Sequence, residues 1–167
     1  MPLFLYTLKF NGTWNFQYML SGFFNVGAMT TYKIAVELIE LEPNTYHPLI
    51  KAEFPGLDNH WWVIDSGATK SVFDSLLAES YISDHEESVM ATGLGKEVVE
   101  TSSGKIVGLK LDGYNFGTLN VALVDFSHIN LEYSKFSEKK IVGLIGSDFL
   151  YSRKAILDYG KGVLKLH

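Results

Sequence analysis

A chain of 167 residues, 47% hydrophobic and 14% aromatic, is long enough to bury one core without a metal or disulfide staple. The absence of cysteine removes disulfides, thiolate metal sites and cysteine nucleophiles, and leaves the redox compartment open. A formal net charge of −5, with no stripe of Lys and Arg, argues against a phosphate-backbone ligand, so no nucleic-acid partner is expected.

The first 30 residues stand apart as an extension. Lys9 is their one charge, and they are dense in aromatics: Phe4, Tyr6, Phe10, Trp14, Phe16, Tyr18, Phe23 and Phe24. Asn11, Gly12, Asn15, Gln17 and Asn25 keep every apolar run well short of the roughly 18 residues of a membrane span, so none is expected. Three readings fit the segment. It can be a hairpin turning at Asn11-Gly12, a secretory signal ending at the small residues Val26-Gly27-Ala28, or a prosegment. A cytoplasmic location is expected unless residues 1–28 act as a signal, in which case the chain is exported.

From Thr31 to His167 the sequence reads as one domain of short strands. Lys33 to Ile39, His47 to Phe54 and His60 to Ile64 are strand candidates, parted by Glu42-Pro43-Asn44 and Pro55-Gly56-Leu57-Asp58, whose residues supply turn dihedrals. Ser71 to Ser80 is the expected helix, with Val72, Phe73, Leu76 and Leu77 at helical spacing. Strands follow at Glu97 to Thr101, Lys105 to Leu111 and Thr118 to Asp125, punctuated by Gly93-Leu94-Gly95, Ser102-Ser103-Gly104 and Asp112-Gly113. Ile141 to Gly146 reads as a buried strand, followed by a helical turn with Ser147 as cap and Asp148 in the first turn. Ala155 to Tyr159 and Gly162 to Leu166 close the chain as a hairpin across Gly160-Lys161.

The most informative stretch is Trp61-Trp62-Val63-Ile64-Asp65-Ser66-Gly67-Ala68-Thr69. Four bulky apolar residues ending in Asp-Ser-Gly describe a buried strand that delivers a carboxylate into a tight turn. Alone, such a turn is ordinarily a capping Asp. Two other readings fail on spacing. Thr92 to Glu97 lacks the Gly-x-x-x-x-Gly-Lys-Ser/Thr of a phosphate loop, and an Asp-nucleophile phosphotransferase needs a second Asp where Gly67 stands. The five histidines, His47, His60, His85, His128 and His167, show no metal-ligand spacing, so neither metal nor cofactor is expected.

Asp65-Ser66-Gly67-Ala68-Thr69, followed later by Leu144-Ile145-Gly146-Ser147-Asp148-Phe149-Leu150 and the closing Ile156-Leu157-Asp158-Tyr159, resembles the retropepsin-like aspartic proteases, including their bacterial single-domain members. The resemblance implies an all-β fold, a closed β-barrel or sandwich with one or two short helices and one lobe per chain. It implies an aspartic endopeptidase acting on peptide or protein substrates, with Asp65 as the catalytic acid. Since the chain has one such Asp, it implies a homodimer whose two Asp65 side chains form the dyad. It gives Ser66, Gly67, Ala68 and Thr69 the support of the catalytic loop, and makes Leu144, Ile145 and Gly146 a shielding strand that lies beside Asp65. Asp148 reads as a brace for the loop. Gly93, Leu94 and Gly95 fall where the family places its flap, with Ser102-Ser103-Gly104 as the alternative tip. Retroviral members carry an Arg where this chain has Ser147, so an Arg-mediated ion pair across the dimer is missing. The alternative reading keeps the dimeric fold as a scaffold or peptide-binding module without catalysis.

Overall fold

The computed structural model describes residues 30–92 and 98–167. The readings placed on the N-terminal extension, with its Asn11-Gly12 hairpin, and on Gly93, Leu94 and Gly95 therefore lie outside the described residues. The expected first strand is two strands. β1 (Tyr32–Ala35) and β2 (Glu37–Glu42) part at Val36, whose N–H donates to the Gly162 carbonyl at 2.8 Å and turns the chain from one sheet into another. A turn with Asn44 at φ 66° leads into β3 (Thr45–Lys51). The Pro55-Gly56 turn, with Gly56 at φ 80°, then precedes β4 (His60–Ile64).

The expected helix over Ser71–Ser80 is corrected at its start. Val72, Phe73 and Asp74 form β5 (Val72–Asp74), and only Ser75–Leu77, a 3₁₀ turn, and α1 (Ala78–Tyr81) are helical. Val72 and Phe73 satisfy a helical stripe and a strand equally well, and tertiary pairing decides. β5 (Val72–Asp74) fills the slot between two strands further along the chain, where buried backbone groups need ladder partners. β6 (Ser83–Thr92) and β7 (Val98–Ile106) pair antiparallel out to Thr92 opposite Val98. Ser102-Ser103-Gly104, expected as a turn, lies inside β7, where an added Cβ on Gly104 would overlap Ile82 Cγ2. That excludes it as a hairpin tip. β8 (Lys110–Leu111) and β9 (Tyr114–Asn115) turn across Asp112-Gly113, both at positive φ, and β10 (Leu119–Val124) follows.

α2 (Ser127–Tyr133) was not anticipated from the sequence. β11 (Lys140–Ile145), α3 (Ser147–Ser152), β12 (Ile156–Asp158) and β13 (Val163–Leu166) complete the chain. The cap of α3 is Gly146, not Ser147: Ser147 is the first helical residue, and no side chain caps this end.

Strands β2, β3, β4, β11, β5, β10, β7 and β6 lie in that order in one sheet, with β4 and β11 parallel and β11 and β5 antiparallel; β1, β13 and β12 form a second sheet. The described residues are mostly β, and no sheet among them closes on itself, since the larger one ends at β2 and β6. No helix among them is long and apolar enough to cross a membrane.

The apolar run of β4 is explained by burial on both faces. Trp62 and Ile64 enter the main core with Ile50, Phe73, Val142 and Ile145, whereas Val63 and, on its margin, Trp61 pack under α2 with Leu49, Phe126, Tyr133 and Ile141. The register shift between Ile141 and Gly143 absorbs Val142 as an extra residue, so Leu144 meets Val63 and Ile145 meets Ile64. Gly143 is required there. A Cβ would overlap the Val72 carbonyl oxygen and lie 2.7 Å from the Trp62 ring.

Candidate active site

β4 ends in Asp65, and the strand pairing carries on one residue into the loop: the Asp65 N–H donates to the Ile145 carbonyl at 3.0 Å. The chain then reverses, with Ala68 N–H on the Asp65 carbonyl at 3.2 Å and Gly67 N–H on Asp65 Oδ1 at 2.9 Å. A Cβ on Gly67 would stand 3.2 Å from that same oxygen, so glycine leaves room for the carboxylate. Ser66 and Thr69 are exposed, and Asp65 is half-buried. No other described residue donates to the Asp65 carboxylate.

A second carboxylate holds the loop from behind. Asp148 accepts from the buried Ser71 N–H at 3.0 and 3.1 Å, from the Ser71 hydroxyl at 2.8 Å and from its own Phe149 N–H at 2.8 Å. Ser71 Oγ in turn accepts from Gly146 N–H at 3.0 Å, and Ser147 N–H donates to the Ala68 carbonyl at 2.8 Å. The sequence assigned Asp148 a bracing part but missed Ser71, its partner across 77 positions. Gly146 has the backbone of Lys70 and Ser71 against it, and an added Cβ would lie 2.6 to 2.9 Å from their atoms. Leu144, Ile145 and Gly146 thus lie beside the Asp65 loop.

Asp65 opens into a groove of about 570 Å³ between α2 and the β2–β3 hairpin. Its apolar wall includes Leu41, Val63, Ile129, Phe136 and Leu144, and its polar groups are Asp65, Glu42, His47, His128, Glu132 and Tyr133. His47 is brought there by register: Leu49 lies opposite Val63, and His47, two residues before Leu49 on β3, shares its face of the sheet. Tyr133 OH and His47 Nδ1 are 2.5 Å apart. Burial, and secondarily the negative charge of Asp65, push the Tyr133 hydroxyl up to about 12. Neither Tyr133 nor His47 was singled out from sequence. The Ile129–Tyr133 spacing on α2 was the one available signal.

A β-rich fold that delivers Asp-Ser-Gly from a two-faced strand, beside an apolar-apolar-Gly strand, defines an aspartic protease of the retropepsin-like kind. Residues 50–149 match the family model described as aspartyl protease, and the chain belongs to that family. No curated protein sequence matches it. Solved structures similar to it include the following three. EIAV protease complexed with the inhibitor HBY-793 is 18% identical, with 81% of this chain and 97% of that chain covered and a TM-score of 0.41. A retropepsin-like aspartic protease from Rickettsia conorii is 15% identical, over 82% of this chain and 90% of that one, with a TM-score of 0.45. The retroviral protease-like domain of Ddi1 from Leishmania major is 15% identical, over 82% and 88%, with a TM-score of 0.39.

Proposed function

We propose that this chain is an aspartic endopeptidase whose active site forms when two copies bring their Asp65 carboxylates together. The observation that carries the reading is the state of Asp65. Its backbone is fixed to Ile145, yet its carboxylate holds a single internal hydrogen bond at the mouth of a groove. Two carboxylates about 3 Å apart share one proton. The ionised one takes a proton from water, whose oxygen adds to the peptide carbonyl carbon as the protonated one gives its proton to the carbonyl oxygen. Collapse of the tetrahedral intermediate breaks the C–N bond, with a proton delivered to the leaving nitrogen. No covalent enzyme intermediate forms. The pair titrates in two steps that belong to the dyad.

In this reading residues 31–167 are the protease domain and residues 1–30 an extension to it. The flap is assigned to the sequence between β6 and β7, which contains Gly93, Leu94 and Gly95, and it binds an extended peptide by strand-like hydrogen bonds. Ser66 braces the two loops across the axis. Ser147 supplies no charge for the dimer, so cohesion falls to the apolar face on the Ser66 side. There Tyr151 and Tyr159 are 89% and 56% exposed, around a groove of about 700 Å³ that includes Leu150, Leu157 and Ser66.

The test is a peptidase assay at mildly acidic pH with pepstatin, on the native chain and on Asp65→Asn, alongside sedimentation. Pepstatin-sensitive cleavage that is lost in Asp65→Asn, from a dimeric species, is the expected result. Cleavage that survives the substitution, or a strictly monomeric active species, overturns the reading.

A further inference from the structure

The groove at Asp65 has walls of one character and charges of one sign. Ile129 and Phe136 on the α2 side and Leu144 on β11 line it with apolar surface, while Glu42 at the end of β2 and Glu132 on α2 are, with His47, His128 and Tyr133, among its polar groups. Among the described residues no Lys or Arg lines it. Glu132 is held by Lys135 at 2.6 Å, but the exposed Glu42 carboxylate has no hydrogen bond or ion pair among the described residues. With the Asp65 carboxylate at its mouth, the groove is lined by three acidic side chains and carries a negative potential, which low-dielectric walls concentrate on any group inside. An acidic side chain is repelled from it. A purely apolar one fits the walls and leaves the acids unused, whereas a long side chain with an aliphatic stem and a cationic end uses both.

We propose that this groove is a substrate side-chain pocket selective for lysine or arginine, with the stem against Ile129, Phe136 and Leu144 and the cation at Glu42. Tyr133 forms its closed wall, fixed by the hydrogen bond to His47. The proposal rests on the peptidase reading for the placement of a peptide at Asp65 and adds the class of residue chosen there. Glu42 sets the choice by charge and takes no part in bond cleavage.

Binding can be read without turnover. Asp65→Asn protein, as the full chain at neutral pH, is titrated by fluorescence anisotropy with short labelled apolar peptides in which one Lys, Leu or Glu is walked through every position. At one position the Lys peptide is expected to bind about fivefold tighter than the Leu peptide, the scale of one partly exposed ion pair, and the Glu peptide more weakly than either. Glu42→Lys, at an exposed strand end, is expected to abolish that preference, so that the Lys peptide binds no tighter than the Leu peptide. Equal binding of Lys and Leu at every position, binding of no peptide, or a preference that survives Glu42→Lys overturns the pocket. Cleavage of the same peptides by the native chain separates the two readings. Asp65-dependent cleavage without basic selection removes the pocket and leaves the peptidase, whereas Lys-selective binding without cleavage keeps the pocket and removes the peptidase.

Discussion

Replacing Asp148 by Ala removes the acceptor for three N–H and O–H donors at once. Ser71, which is fully buried, then has neither its N–H nor its hydroxyl proton satisfied, and Phe149 N–H loses its partner at the start of α3. A buried donor left without a partner costs about 1–3 kcal/mol, so two of them on Ser71 place the loss at about 2–6 kcal/mol, against roughly 5–15 kcal/mol for a whole domain. Asp148→Asn keeps one acceptor oxygen but loses the charge, and is expected to lose about half as much. Urea denaturation gives the difference, and thermal melting is expected to fall by about 10 °C or more for the alanine variant. A double-mutant cycle with Ser71→Ala isolates the bond itself, with a coupling of at least about 1 kcal/mol expected. An unchanged urea midpoint for Asp148→Ala, or losses that simply add in the cycle, would refute the brace.

Gly146→Ala is expected to destabilise the fold and lower activity together, because its Cβ meets backbone of Lys70 and Ser71 that cannot rotate away; melting and peptidase assays read both. The raised ionisation of Tyr133 has a fixed sign. Below about pH 10 both folded and unfolded chains keep the proton, and above it the unfolded chain releases it first, so stability is lost as pH rises towards the folded value of about 12. Tyr133→Phe is expected to flatten that alkaline decline in a urea series across pH. The pKa of His60 is lowered, first by burial and then by Lys140, so its stabilising effect is lost as pH falls below the unfolded value of about 6.5; His60→Gln should reduce the loss in an acid titration followed by circular dichroism. Deleting residues 1–30 is expected to raise peptidase activity if they are a prosegment, and unchanged activity would dismiss that role.

Where the sequence was legible, the signal was local or two-sided. The run Trp61 to Ile64 announces a strand because both of its faces need apolar cover, and Asp112-Gly113 announces its turn because both residues take positive φ. The Asp65 loop and the Leu144 to Gly146 strand were legible as a pair. What was hidden was settled by partners far along the chain. Val72 and Phe73 fit a helix until β10 and β11 offer ladder bonds on both sides. β1 and β2 separate at Val36 because Gly162 holds its N–H, and Ser102 to Gly104 runs straight because Gly104 lies against Ile82. His47 enters the groove through strand register, which residue type does not encode.

The two carboxylates of the site divide structural and chemical work, and their contrasting hydrogen bonds show how. Asp148 accepts from the loop's far end and from α3, so Ser71 and Phe149 are held without drawing on Asp65. Asp65 is secured through its main chain, by Ile145 and Ala68, and its side chain receives one N–H. A carboxylate that accepts two or three internal hydrogen bonds is held firmly in its ionised form, which would oppose the proton sharing that a dyad requires. Anchoring the loop through Asp148 therefore fixes the main chain beside Asp65 without adding a donor to the Asp65 carboxylate, the arrangement that the proposed dyad needs.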